Sequence, residues 1–221
     1  KDMTGRIDAI IDGGECNVGV ESTIVDFTGE KPVILRPGGV TYDDLKGVGL
    51  DVEIDKNILH SIAADEVPKC PGMKYKHYAP NAEVTVVEGE KDAVQSKIKE
   101  LLEQNEGKVT GVLTMYGAVY DKAVMLSAGS TNKEYAKNLF AALREFDELG
   151  VEVVFAEFSE KDGYGLAVKN RLYKAAAQRV IQHHFLLGRY SKYSTKAAKP
   201  HCERFCGFTT KSLSFMGGIT K

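Results

Sequence analysis

Between residues 83 and 181 the chain alternates two hydrophobic periods, and this constrains its fold more than any other feature. The runs at 83–88, 109–114, 123–127 and 151–157 are short and largely apolar, with valine in each, the signature of strands. Between them, 92–103, 132–149 and 165–181 place apolar residues three or four apart; Tyr135, Leu139, Ala142, Leu143 and Phe146 share one helix face. Alternation of this kind predicts a mostly parallel sheet with helices packed on it, an α/β body. The segment contains no internal repeat, no Gly-x-Gly-x-x-Gly fingerprint and no phosphate loop.

Upstream, β-branched runs at 7–12, 19–26 and 33–36 are bounded by Gly13-Gly14 and Pro37-Gly38-Gly39 and predict three strands. Thr41 followed by Asp43 and Asp44 reads as a helix start, a threonine cap with acids in the first turn. Residues 52–80 show neither period and carry Pro68, Pro71, Gly72 and Pro80, so they are predicted to form a linker. The expected division is therefore 1–51, a linker at 52–81, an α/β domain at 82–181, and a tail at 182–221.

The tail is basic, with seven Lys and Arg residues against the single acid Glu203, in a chain whose net charge is −2. It lacks a clear period and reads as a disordered extension, a non-native sequence or a genuine appendage. Its His and Cys residues do not fall at the spacing of a Cys-x-x-Cys site, and no metal site is assigned. Four cysteines scattered through 221 residues fit a reduced protein rather than a disulfide scaffold. No run approaches the roughly 20 apolar residues of a membrane span, and no signal peptide is visible at residue 1, so a cytoplasmic protein without a membrane partner is expected.

Three places could carry chemistry. Ser22 sits in a glycine-rich strand neighbourhood where its hydroxyl could donate to a carboxylate or phosphate; the alternative is a strand hydroxyl satisfying local hydrogen bonds. No Gly-x-Ser-x-Gly elbow surrounds it, which argues against an acyl-transfer nucleophile. Arg36 ends an apolar strand before Pro-Gly-Gly, where a guanidinium suits phosphate or carboxylate recognition or a surface ion pair. In Pro71-Gly72-Met73-Lys74-Tyr75-Lys76-His77-Tyr78-Ala79-Pro80, the side chains of Lys74, Tyr75, His77 and Tyr78 could lie over a nucleotide, or the strip could simply dock between domains.

Together these segments resemble a known family. Gly5-Arg6-Ile7-Asp8-Ala9-Ile10-Ile11-Asp12-Gly13-Gly14, Gly19-Val20-Glu21-Ser22-Thr23-Ile24-Val25-Asp26, Ile34-Leu35-Arg36-Pro37-Gly38, the Pro71–Pro80 decapeptide and Gly165-Leu166-Ala167-Val168-Lys169-Asn170-Arg171-Leu172 occur in this order. The same order is found in the long-form threonylcarbamoyl-AMP synthases of the YrdC type. The resemblance covers residues 1–181 and identifies 1–51 with the C-terminal part of a YrdC-like catalytic domain, 52–81 with the linker over its active site, and 82–181 with a small Rossmann-like accessory domain.

The resemblance implies a nucleotidyltransferase that joins L-threonine, bicarbonate and ATP into threonylcarbamoyl-AMP and releases pyrophosphate, with Mg2+ accompanying ATP. The product would pass to a tRNA-modifying transferase complex for threonylcarbamoyladenosine formation. By similarity Ser22 would contact L-threonine, Arg36 the ATP phosphates, and Lys74, Tyr75, His77 and Tyr78 would belong to the lid; no catalytic residue is assigned. The family's upstream segment, with its lysine- and arginine-containing nucleotide site, is not in this sequence, so little synthase activity and an unstable N-terminal segment are expected of the chain alone. A competing reading makes 83–181 a non-catalytic nucleotide- or partner-binding regulatory module. Direct tRNA binding through the basic tail is a weaker one, which a salt-independent failure to bind tRNA would dispose of.

Overall fold

The structure is a computed structural model that describes residues 3–14, 16–60, 67–71, 79–160 and 163–183. Two sheets form. The first contains β1 (Ile24–Asp26), β2 (Val33–Arg36) and β3 (Glu53–Ile54), with α1 (Tyr42–Gly47) between the last two. Here β1 pairs antiparallel with β2, and β3 pairs parallel with β2. Thr41 caps α1 as its sequence predicts: its hydroxyl accepts from the Asp44 amide while the Asp44 carboxylate accepts from the Thr41 amide, a reciprocal capping box.

The second sheet is built from β4 (Glu83–Gly89), β5 (Thr110–Thr114), β6 (Val124–Ser127), β7 (Val153–Phe158) and β8 (Val180–His183). Its strand order is β6-β5-β7-β4-β8 and every pair is parallel. The helices are α2 (Lys91–Gln104), α3 (Asn132–Glu148) and α4 (Gly165–Ala175). Strand side chains alternate between two faces. Val153 and Phe155 join Val94 and Ile98 of α2, whereas Val154, Ala156 and Phe158 join α3 and α4 on the opposite face. The apolar stripe of α3 read from the sequence is buried throughout. It approaches β5 so closely that a Cβ at Gly111 would lie 2.6 Å from the Phe146 ring. The α/β fold with a parallel sheet is thus as the periodicity predicts.

One buried carboxylate pins the end of β5. Glu157 has no exposed surface, and it accepts the Met115 amide at 2.7 Å, the Tyr116 amide at 2.8 Å and the Tyr120 hydroxyl. A carboxyl so placed is tolerable because both of its oxygens find donors.

Four local expectations are corrected. The helix predicted over 165–181 stops at Ala175, because Ala177 and Gln178 take positive φ values of 47° and 66°. The Ala177 amide bonds Lys174 O and the Gln178 amide bonds Tyr173 O, the two bonds of a Schellman terminus, here with alanine where glycine is usual. The chain then forms β8, which takes in Gln182 and His183 from the predicted tail. Residues 7–12 form no strand, since among the described residues no neighbouring strand pairs with them. The strand predicted over 19–26 is only its last three residues. Within the predicted linker, β3 and a 3-10 turn at Lys56–Ile58 are ordered by Asp55, whose carboxylate accepts the Asn57 amide.

Candidate functional site

Ser22 and Arg36, singled out separately in the sequence, meet in space. The β1–β2 ladder puts Ile24 opposite Arg36, and a register shift after Ile24 lets the preceding residues leave the ladder. Arg36 lies back along this segment: its Nε donates to Ser22 O at 2.9 Å and its Nη2 to Ser22 Oγ at 3.0 Å. Ser22 is exposed and Arg36 half-buried. Among the described residues, only these two of the five N–H donors of the guanidinium are engaged, both on Ser22. The serine hydroxyl here accepts, so its own proton is available to a ligand oxygen.

Glycine shapes this corner. A Cβ at Gly38 would fall 2.2 Å from Glu21 O and 2.6 Å from Thr23 N, so only glycine lets the Pro37-Gly38 turn pass under Glu21-Ser22-Thr23. Thr23 completes the stitch by donating to Val40 O at 2.6 Å and accepting the Val40 amide at 3.1 Å.

Helix α4 reaches the same corner from the other sheet. Its Arg171, 6% exposed, donates from Nε to Glu21 Oε2 at 2.7 Å and from Nη2 to Pro37 O at 3.2 Å. Its Nη1 bonds the Asn170 carboxamide oxygen, and the Asn170 nitrogen donates to Ile58 O. Burial alone would raise the Glu21 carboxyl, but Arg171 beside it, its own backbone and more distant Arg36 hold it below its usual value. Burial lowers the Arg171 guanidinium, against the opposing pull of Glu21. One turn further on, the Lys174 ammonium is brought down to about 8, first by burial and then by Arg171. Cys70, buried against Leu35, has a thiol that burial pushes up, so it is not a thiolate nucleophile. Cys16 and Cys70 are free.

Glu21, Asn170 and Arg171 stand in the sequence motifs without an assigned part. Nothing in the spacing brings residue 171 to residue 21; the signal was a charged pair inside two apolar segments. Lys74, Tyr75, His77 and Tyr78 lie outside the described residues, as does all of the chain beyond 183. Among the described residues, no cluster of His, Cys, Asp and Glu could hold a metal ion, and no helix is long and apolar enough to cross a membrane.

Residues 40–177 match the family described as threonylcarbamoyl-AMP synthase, C-terminal domain, and residues 1–38 match the family described as telomere recombination. The threonylcarbamoyl-AMP synthase of Pyrococcus abyssi is 46% identical over 184 residues, covering 82% of this chain and 53% of that protein. The Bacillus subtilis enzyme of the same name is 40% identical over 185 residues, covering 82% and 52%. The crystal structure of P. abyssi Sua5 complexed with L-threonine superposes with a TM-score of 0.75 at 46% identity, covering 81% of this chain and 52% of that one. The chain spans about half the length of the curated relatives it matches. In fold, motif order and sequence alike, the chain belongs to the threonylcarbamoyl-AMP synthase family.

Proposed function

We propose that this chain takes part in the ATP-dependent joining of L-threonine and bicarbonate into threonylcarbamoyl-AMP with release of pyrophosphate, and that Ser22 and Arg36 are its contribution to substrate binding. The observation that carries this reading is the Arg36–Ser22 pair, held at 2.9 and 3.0 Å on a corner that only glycine at position 38 permits. The relative solved with L-threonine bound supports the substrate class. In this reading Ser22 donates to the threonine substrate while the unused donors of Arg36 face the ATP phosphates, where a planar fork recognises paired oxygens. Adenylate formation demands mainly that two anions be positioned and that phosphate charge be spread, which an arginine held from behind supplies without reorganisation.

Residues 1–51 act as part of the catalytic domain, 52–81 as the linker that carries the lid candidates Lys74, Tyr75, His77 and Tyr78, and 82–181 as the accessory domain. Magnesium would arrive with ATP, and none of this chain's residues is assigned to it. Bicarbonate is the third substrate, the work is cytoplasmic, and the product passes to a tRNA-modifying transferase.

Calorimetric titration with ATP and with L-threonine tests the assignment. The chain binds at least one of them, Arg36→Ala loses ATP and Ser22→Ala weakens threonine, with unfolding temperatures within a few degrees of the parent. Equal affinity in both variants, or no binding by the parent, overturns the assignment of the two residues.

A further inference from the structure

We propose that Arg171 is a positioning residue for the substrate corner, the point at which the five-stranded body fixes the geometry of the Ser22–Arg36 pair; the word substrate here rests on the reading above. Arg171 touches the residue before Ser22 and the residue after Arg36. Its Nε holds the Glu21 carboxylate at 2.7 Å and its Nη2 holds Pro37 O at 3.2 Å. One guanidinium therefore clamps both chain segments that converge on the site, each at the residue adjoining Ser22 or Arg36.

The clamp is rigid at its base. Arg171 sits on α4, which is buried along its length between the two sheets, and its third branch, Nη1, is fixed by Asn170, which is itself anchored on Ile58 O. The fork geometry matters. An ammonium on a flexible stem could meet Glu21 but could not hold Pro37 O and Asn170 as well. Leu166, one turn earlier, packs with Ile34, Val52 and Ile58, so the same helix supplies the apolar contact that orients the charged one. The three-stranded sheet has too few buried residues to fix Glu21 and Pro37 by packing alone, and the two hydrogen bonds take that part.

The clamp has two arms and they can be cut separately. Hydrogen exchange on the ligand-free chain reads each arm. In Arg171→Ala, exchange accelerates at least about tenfold over both 20–26 and 33–40, while β7 stays protected. In Glu21→Gln it accelerates over 20–26 alone, and in Arg171→Lys over 33–40 more than over 20–26. Unchanged exchange at both corners in Arg171→Ala, or acceleration spread evenly over β4, β5 and β7, overturns the proposal. This readout needs no ligand, so it stands even where the parent chain binds neither ATP nor threonine and the functional reading fails. Where the parent does bind, Arg171→Ala weakens both substrates at least about tenfold and Arg171→Lys recovers part of the loss; affinities equal to the parent despite faster exchange also overturn it.

Discussion

The two sheets of this molecule are held together by different means. In the five-stranded sheet, β5 and β7 are buried at every residue and helices cover both faces, so order comes from apolar packing. In the three-stranded sheet the strands are two to four residues long, and the segment leading into them leaves Ile10 61% and Ile11 98% exposed. Its cores are small: Ile34, Val52, Ile58 and Leu166 in one, Leu35 and Cys70 in the other. Order there comes from hydrogen bonds and a close glycine contact, and part of it is lent by α4. Apolar packing is non-directional and holds a scaffold, whereas hydrogen bonds are directional and hold donors at set distances. The corner that carries Ser22 and Arg36 is on the region held by hydrogen bonds.

Substitutions in the three-stranded region should leave the five-stranded body standing, whereas damage to that body is felt by the whole chain, and the expected effects descend in size. Phe146→Ala empties the space between α3 and β5 and should cost about 4 kcal/mol, lowering the unfolding midpoint of the whole chain in a denaturant titration. Gly38→Ala forces a Cβ into the Glu21 carbonyl and should cost about 2 kcal/mol, felt as faster exchange over 20–40 and lost ATP binding, with β7 unaffected. Ala177→Gly relieves the left-handed terminus of α4 and should raise stability by about 1 kcal/mol, read as a higher midpoint with unchanged ligand affinity.

The smallest effect is a slope. Lys174 titrates at about 8 in the folded chain against an ordinary 10.5, chiefly through burial and then through Arg171. Below the folded value both states carry the proton and the burial penalty is full. Between about 8 and 10.5 the unfolded chain holds more protons, so this group's contribution to stability rises with pH across that window. Replacing Lys174 with Met should remove that rise in a series of denaturant titrations, leaving the slope below pH 8 as it was.

The five-stranded body was legible because its periods are long. Tyr135 to Phe146 repeat for about three turns, and the apolar runs of β4, β5 and β7 are short and separate. What the sequence hid was local. Lys174-Ala175-Ala176-Ala177-Gln178 is a strong helix former with no glycine to stop it, and only the tertiary demand for a fifth strand bends Ala177 and Gln178 into positive φ. The 7–12 run has strand composition, but composition supplies no pairing partner. At the site, Ser22 and Arg36 were found one at a time because each is an unusual polar residue in an apolar run. Their contact could not be read, since it depends on a register shift after Ile24, and Arg171 could not be read because 150 residues separate it from Glu21.

The contrast between the two regions is tested most directly by native-state hydrogen exchange of the unmodified chain across a denaturant series, comparing the amides of β2 with those of β7. The account predicts that β2 exchanges through a smaller opening that depends weakly on denaturant, while β7 exchanges only with global unfolding. Equal protection and equal denaturant dependence in both strands would contradict it, because the two sheets would then be a single cooperative unit and the corner that carries Ser22 and Arg36 would need no clamp.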